Sequence, residues 1–178
     1  NEWTAPATLT YVVNAPKLAI TEINYNPHEP TAAELAVNPN WENDDFEYIE
    51  LQNVGSEAAS LLGVQFEGIE LTLGDISLAP GELGVVVRNT AAFTQRYGSS
   101  VKNLGEFFGG TLNNAGESLR VLDTFGIVMI DLSYDDNSLW PQSADGGGTS
   151  IQLVDPATVL AENLSKYYSW DASVEFGG

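Results

Sequence analysis

From Leu18 onward the chain is a succession of brief apolar segments separated by Gly, Pro, Asn and Asp, and that punctuation constrains the fold more than any other feature. Segments this short, rich in β-branched and aromatic residues and closed by turn residues, read as strands. They are expected at residues 18–25, 46–53, 64–73, 84–88, 118–122, 127–134 and 150–154. In the second, Ile49 and Leu51 fall on one side while Tyr48, Glu50 and Gln52 fall on the other. Successive side chains in a strand point to opposite faces, so one face is expected in the core and one in water, as in an antiparallel sheet. The gaps are too short to hold a crossover helix after nearly every strand, which excludes a doubly wound α/β fold.

Helix is expected only at residues 90–97, where Asn89 can cap and Gly98 can terminate, and as a short turn opened by Asp155-Pro156. Residues 1–16 carry the alternating Leu9, Tyr11 and Val13 before Asn14-Ala15-Pro16. They read as a linker or the end of a preceding domain, or else as an added edge strand, leaving residues 17–178 as one domain. A chain of 178 residues with 43% hydrophobic content can fill one β-rich core. No apolar run reaches membrane-spanning length, so no membrane partner is expected; a monomer is also expected.

Charge narrows the partners. Twenty-five acidic residues against 6 basic ones give a net charge of -19. A field of that sign repels phosphate, and no Lys/Arg cluster offsets it, so nucleic acid is excluded. Cations and neutral ligands remain; the acidity serves either calcium binding or solubility in a salty medium. There is no cysteine, which removes disulfides, thiolate catalysis and cysteine-ligated zinc.

His28 is the only histidine, and it stands in the turn Asn26-Pro27-His28-Glu29-Pro30. No G-x-S-x-G elbow accompanies it, since Gly148-Thr149-Ser150-Ile151 runs on into Gln152. Nothing in the sequence marks one carboxyl as desolvated, which a glycosidic acid requires, so the chain is read as non-catalytic. Two acidic clusters carry the oxygens calcium takes, Asn43-Asp44-Asp45 beside Glu42 and Glu47, and Asp135-Asp136-Asn137 with Asp145. Neither has EF-hand spacing, and turn capping by the same side chains is the structural alternative. Trp140 and Trp170 read as packed residues. Trp41 lies among Asn40, Glu42, Asn43 and Asp44 and is either a sugar-stacking ring or a ring folded back on the sheet. With Tyr25, His28 and Asp45 it forms the expected ligand surface.

Several stretches in order carry a family likeness: residues 18–27 (Leu18-Ala-Ile-Thr-Glu-Ile-Asn-Tyr-Asn-Pro27), 45–53 (Asp45-Phe-Glu-Tyr-Ile-Glu-Leu-Gln-Asn53), Leu78-Ala-Pro-Gly-Glu82, residues 85–89, 116–123, 134–141 and 144–153, and the trailing Ser169-Trp-Asp-Ala-Ser173 and Gly177-Gly178. Together they resemble the bacterial lamin-tail domain, and their joint order is more specific than any one motif. The segment between Pro27 and Asp45 departs from the pattern by being longer and more acidic. The resemblance implies an antiparallel immunoglobulin-like β-sandwich of about seven to nine strands. Its expected core is Ile20, Ile23, Ile49, Leu51, Phe66, Val85, Val87, Leu119, Val121, Ile130 and Leu153. It also implies an accessory module of a larger secreted or cell-surface bacterial protein. Such a module binds a polysaccharide or surface glycan, or acts as a spacer or adhesion domain against neighbouring domains.

Overall fold

The computed structural model describes residues 16–174. Leu9, Tyr11, Val13 and the Gly177-Gly178 end lie outside the described residues. The fold is all-β, with two α-helices. One six-stranded sheet has the order β12 (Trp170–Ala172), β11 (Ile151–Leu153), β1 (Leu18–Asn24), β2 (Tyr48–Asn53), β7 (Leu83–Val87), β8 (Asn103–Glu106). A second has the order β10 (Val128–Asp135), β9 (Gly116–Leu122), β4 (Gln65–Glu67), β5 (Leu71–Thr72), and β3 (Ala59–Ser60) pairs with β6 (Ser77–Leu78). Every strand pair is antiparallel except β7 with β8, which are parallel and joined by the helix α2 (Thr90–Tyr97). That single crossover departs from the wholly antiparallel expectation, and it occurs where a helix separates two strands, as parallel pairing requires.

One core fills the space between the two sheets, with Ile20, Ile23, Ile49, Leu51 and Val86 from the first and Phe66, Leu119, Val121, Ile130 and Leu132 from the second. Ile20 and Ile23 share a face although three residues apart, because a register shift between Ile20 and Glu22 inserts an extra residue, as a β-bulge does. All eleven expected core residues are buried. Val85 and Val87, however, belong to a separate cluster with Tyr48 and Phe93 on the outer face, and Val86 faces the main core. The outer face is therefore not simply wet: α2 covers its β2–β7 end, and only Glu50 and Gln52 keep partial exposure on β2.

The expected strand at residues 64–73 is a hairpin, β4 to β5, which turns at Gly68 with φ 105°. A Cβ there would meet Leu119 Cδ2 at 2.6 Å, so glycine is needed both for its backbone and for the close approach of β9. Helix α2 forms as expected: the Asn89 side chain accepts from the Ala91 and Ala92 N–H groups, and Gly98 ends the helix at φ 83°. A second helix, α1 (Ala32–Val37), was not expected. Its Thr31 and Glu34 cap each other reciprocally in the S/T-x-x-E pattern. The Asp155-Pro156 turn forms, with Asp155 accepting from the Ala157 N–H at 3.2 Å. Among the described residues no helix is long and apolar enough to cross a membrane.

Candidate functional site

The segment from His28 to Phe46 builds a cap on the outer face, organised by Arg96 of α2. The Arg96 guanidinium donates to Glu34 at 2.8 and 3.0 Å and to the His28 carbonyl at 3.1 Å, and lies 3.4 Å from the centroid of the Phe46 ring. Both partners of the ion pair are buried, and the guanidinium holds the Glu34 carboxyl down at about 2. Trp41 packs edge-on against Phe46 with ring centroids 5.7 Å apart and is only 6% exposed. Its ring offers no open face for a sugar, which corrects the expectation drawn from its polar sequence neighbours. The apolar surface it lacked in sequence is supplied by Phe46 and by Ala92 of α2.

The other members of the expected surface are also part of the scaffold. Asp45 accepts from the Glu42 N–H at 3.0 Å and from the Asn89 side chain at 3.0 Å, closing the 3₁₀ turn Asn43–Phe46 onto α2. His28 is half-buried, its Nδ1 2.7 Å from the Glu29 carbonyl. Tyr25 is wholly buried and stacks on Tyr134 at 4.8 Å, so it is not at a surface. Burial, with Asp145, Asp136 and Asp135 nearby, drives its hydroxyl well above the usual tyrosine range.

The two acidic loops do meet. Asn26 donates to Asp145 at 2.7 Å and accepts from Asn43 at 3.2 Å, joining one expected calcium loop to the other. Much of their polar capacity closes turns: Asp135 accepts from the Asn137 N–H and Asn137 from the Leu139 N–H. Among the described residues no three Asp, Glu, His or Cys side chains converge as a metal cluster.

Beside these loops lies a residue that the sequence reading placed only at a cluster's edge. Glu47 is fully buried; one carboxyl oxygen accepts from the Leu112 N–H at 2.9 Å and the other, Oε1, has no partner. Desolvation, opposed by that hydrogen bond and reinforced by Asp44, pushes its carboxyl up to about 9. Strand phase carried the signal, because Glu47 is two residues from Ile49 and four from Leu51 and so points to the core face. On the outer face Glu22 is also buried, but it accepts from Tyr48, Ser150 and Gln152 and has no spare work to do. Ser150 is consumed by that contact.

A pair of exposed tyrosines lies elsewhere. A groove of about 460 Å³ is lined by Leu139, Trp140, Pro141, Tyr167, Tyr168, Trp170, Asp171 and Ala172. Trp140 and Trp170 are buried beneath it, as expected, and the Trp170 indole donates to the Leu164 carbonyl at 2.8 Å. Tyr167 is 43% exposed and Tyr168 59%, their rings 5.6 Å apart and nearly perpendicular on a 3₁₀ turn, Tyr167–Ser169. The Tyr168 hydroxyl donates to Asn163 at 3.0 Å, and Asp171 is exposed alongside. Fixed aromatic faces beside polar groups can stack on the C–H face of a sugar ring and hydrogen-bond its hydroxyls. Sequence reading passed over this pair; the adjacent Tyr167-Tyr168 in a Lys, Ser and Asn context was its only signal. No family model matches the chain, and no curated protein is significantly similar to it.

Proposed function

We propose that the chain is a non-catalytic accessory binding module of a larger secreted bacterial protein, an immunoglobulin-like sandwich of the lamin-tail kind that holds a polysaccharide chain in the Tyr167–Tyr168 groove. The observation that carries this reading is the pair of exposed tyrosines anchored over two buried tryptophans. A rigid aromatic platform that is shallow and open suits an extended polymer, with the Asp171 carboxylate placed to accept from hydroxyls. Glu47 has the desolvation a glycosidic acid needs, but it is wholly buried, and a general acid must come within hydrogen-bond reach of the oxygen it protonates. That favours binding over hydrolysis.

A spacer or adhesion role is favoured by one different observation. Leu62, Phe125, Ile127 and Val128 are all exposed, and Gly63 approaches Thr124, which brings the β3–β4 loop against the β9–β10 turn. Such an apolar end suits packing on a neighbouring domain. Affinity electrophoresis and a glycan array distinguish the two. Retention by a polysaccharide that Tyr168→Ala abolishes, with unchanged melting, supports the binding reading. A panel with no retention, or retention indifferent to both Tyr167→Ala and Tyr168→Ala, sinks it.

A further inference from the structure

Among the residues that line the Tyr167–Tyr168 groove, one carries a charge: Asp171 of β12. β12 is the outermost strand of its sheet, and along it Trp170 is buried while Asp171 is exposed. Strand alternation sets this, turning the Trp170 ring to the core and the next side chain to water. Across the ladder Asp171 stands opposite Gln152, whose amide donates at 2.9 Å to Glu22 on the far side.

Among the described residues the Asp171 carboxylate has no ion-pair partner. Arg96 is paired with Glu34, Lys102 with Glu82, and Arg120 with Glu67 and Asp131, while Arg88 donates to the Phe107 carbonyl at 3.1 Å. Lys166 adjoins Tyr167 in sequence but does not line the groove. A neutral glycan needs only ring faces and hydrogen-bonding groups. An unpaired carboxylate beside two fixed tyrosine rings is a different combination: the carboxylate takes a charge-assisted hydrogen bond from an ammonium, and the negative face of each ring attracts the same charge. The net charge of -19 draws a cationic polymer towards the chain and repels an anionic one.

We propose that the groove takes a polysaccharide with free amino groups, a polymer of unacylated amino sugars, whose ammonium is held by the Asp171 carboxylate while Tyr167 and Tyr168 pack on the sugar rings. The choice of sugar rests on the polysaccharide reading of the same groove, and Asp171 makes it. Acetylation removes the positive charge and leaves the carboxylate a neutral amide donor, and a uronate sets two negative charges against each other. Because Asp171 is in water its effect is modest: an exposed ion pair and an exposed cation–π contact each favour the amine about two- to fivefold.

Isothermal titration of the whole chain with a short glucosamine oligomer, its N-acetylated counterpart and a galacturonate oligomer tests this, at a pH where the amines are protonated. The glucosamine oligomer is expected to bind about tenfold more tightly than the acetylated one, and the galacturonate oligomer more weakly than either. Asp171→Asn is expected to leave melting unchanged, to lower affinity for the glucosamine oligomer about fivefold and to move that for the acetylated one by less than about twofold. Asp75→Asn removes an equal charge from an exposed position outside the groove and is expected to leave every affinity as it was. It thereby separates a local contact from the general attraction of an acidic protein to a polycation. Equal or tighter binding of the acetylated or the galacturonate oligomer overturns the choice of sugar and leaves the polysaccharide reading standing. Matching losses in Asp75→Asn and Asp171→Asn overturn it as well. No binding of the glucosamine oligomer does the same, and the polysaccharide reading falls with it only when the glycan panel is empty too.

Discussion

Two regions of this molecule put aromatic rings into polar stretches of sequence, and they end in opposite states. Trp41, between Asn40 and Glu42, is 6% exposed, whereas Tyr168, between Tyr167 and Ser169, is 59% exposed. The difference lies in what reaches them from far along the chain. Arg96 gathers Glu34, the His28 carbonyl and the Phe46 ring into one cap, and α2 presents Ala92 to Trp41. Among the described residues nothing comparable covers the Tyr167–Ser169 turn, whose contacts are mostly local, such as Tyr168 to Asn163. Exposure is thus set by the partner and not by the sequence neighbours. The sharpest way to break the comparison is Trp41→Ala, which is expected to cost about 3–5 kcal/mol in denaturant unfolding, as removal of a packed Trp does, without touching retention on polysaccharide in folded protein. A loss under about 1 kcal/mol means the ring is not packed, and the contrast fails.

The cap also carries a pH signature. Glu34, ordinarily at 4.5, is held at about 2, first by its hydrogen bonds from Arg96. Between those values the folded chain binds fewer protons than the unfolded one. The stabilisation is therefore fully present above about pH 4.5 and is lost as the pH falls towards 2. Its size is on the order of 3 kcal/mol. Glu34→Gln is expected to flatten that part of the acid limb of the stability curve; an unchanged limb shows the ion pair does not anchor the cap.

A smaller effect is expected at the seam between cap and helix. Asn89 caps α2 through Ala91 and Ala92 and donates to Asp45 of the cap, so Asn89→Ala removes a helix cap and a tie at once. A cost of about 1–2 kcal/mol is expected in denaturant melts. A Ser substitution, which restores the cap alone, is expected to recover only part of it, and full recovery by Ser means the Asp45 tie contributes nothing.

Much of the sheet was legible because strand alternation is local: Ile49 and Leu51 against Tyr48 and Glu50 name the core face without further help. The same phase extended two residues back names Glu47, a buried acid with one unpartnered carboxyl oxygen. What sequence hid was whatever depends on distant partners. β8, Asn103–Glu106, has little β propensity and is a strand because β7 supplies its hydrogen bonds. The hairpin at Gly68 was hidden by flanking residues that read as one strand, and the dryness of the outer face by a helix from another part of the chain. Trp41 and Tyr25, expected at a ligand surface, are buried for that reason, and Asp45 has structural partners. His28 and Asp145 are likewise engaged, through the cap and through Asn26.

The smallest expected change in stability comes with the most telling change in binding. Tyr168 sits on a short turn with its ring largely in water, so Tyr168→Ala removes little buried surface and is expected to move unfolding by no more than about 0.5 kcal/mol. If stacking on a sugar is worth what an aromatic pair is, about 0.5–1.5 kcal/mol beyond the area it buries, polysaccharide affinity is expected to fall by roughly tenfold. Trp170 beneath it is the counter-case: buried and tied to Leu164, its replacement by Ala is expected to lose stability first and binding only as a consequence. Measuring retention and melting on both variants separates a surface that recognises from a core that supports. If Tyr168→Ala destabilises as much as Trp170→Ala, the tyrosine is structural and the two aromatic regions differ only in exposure.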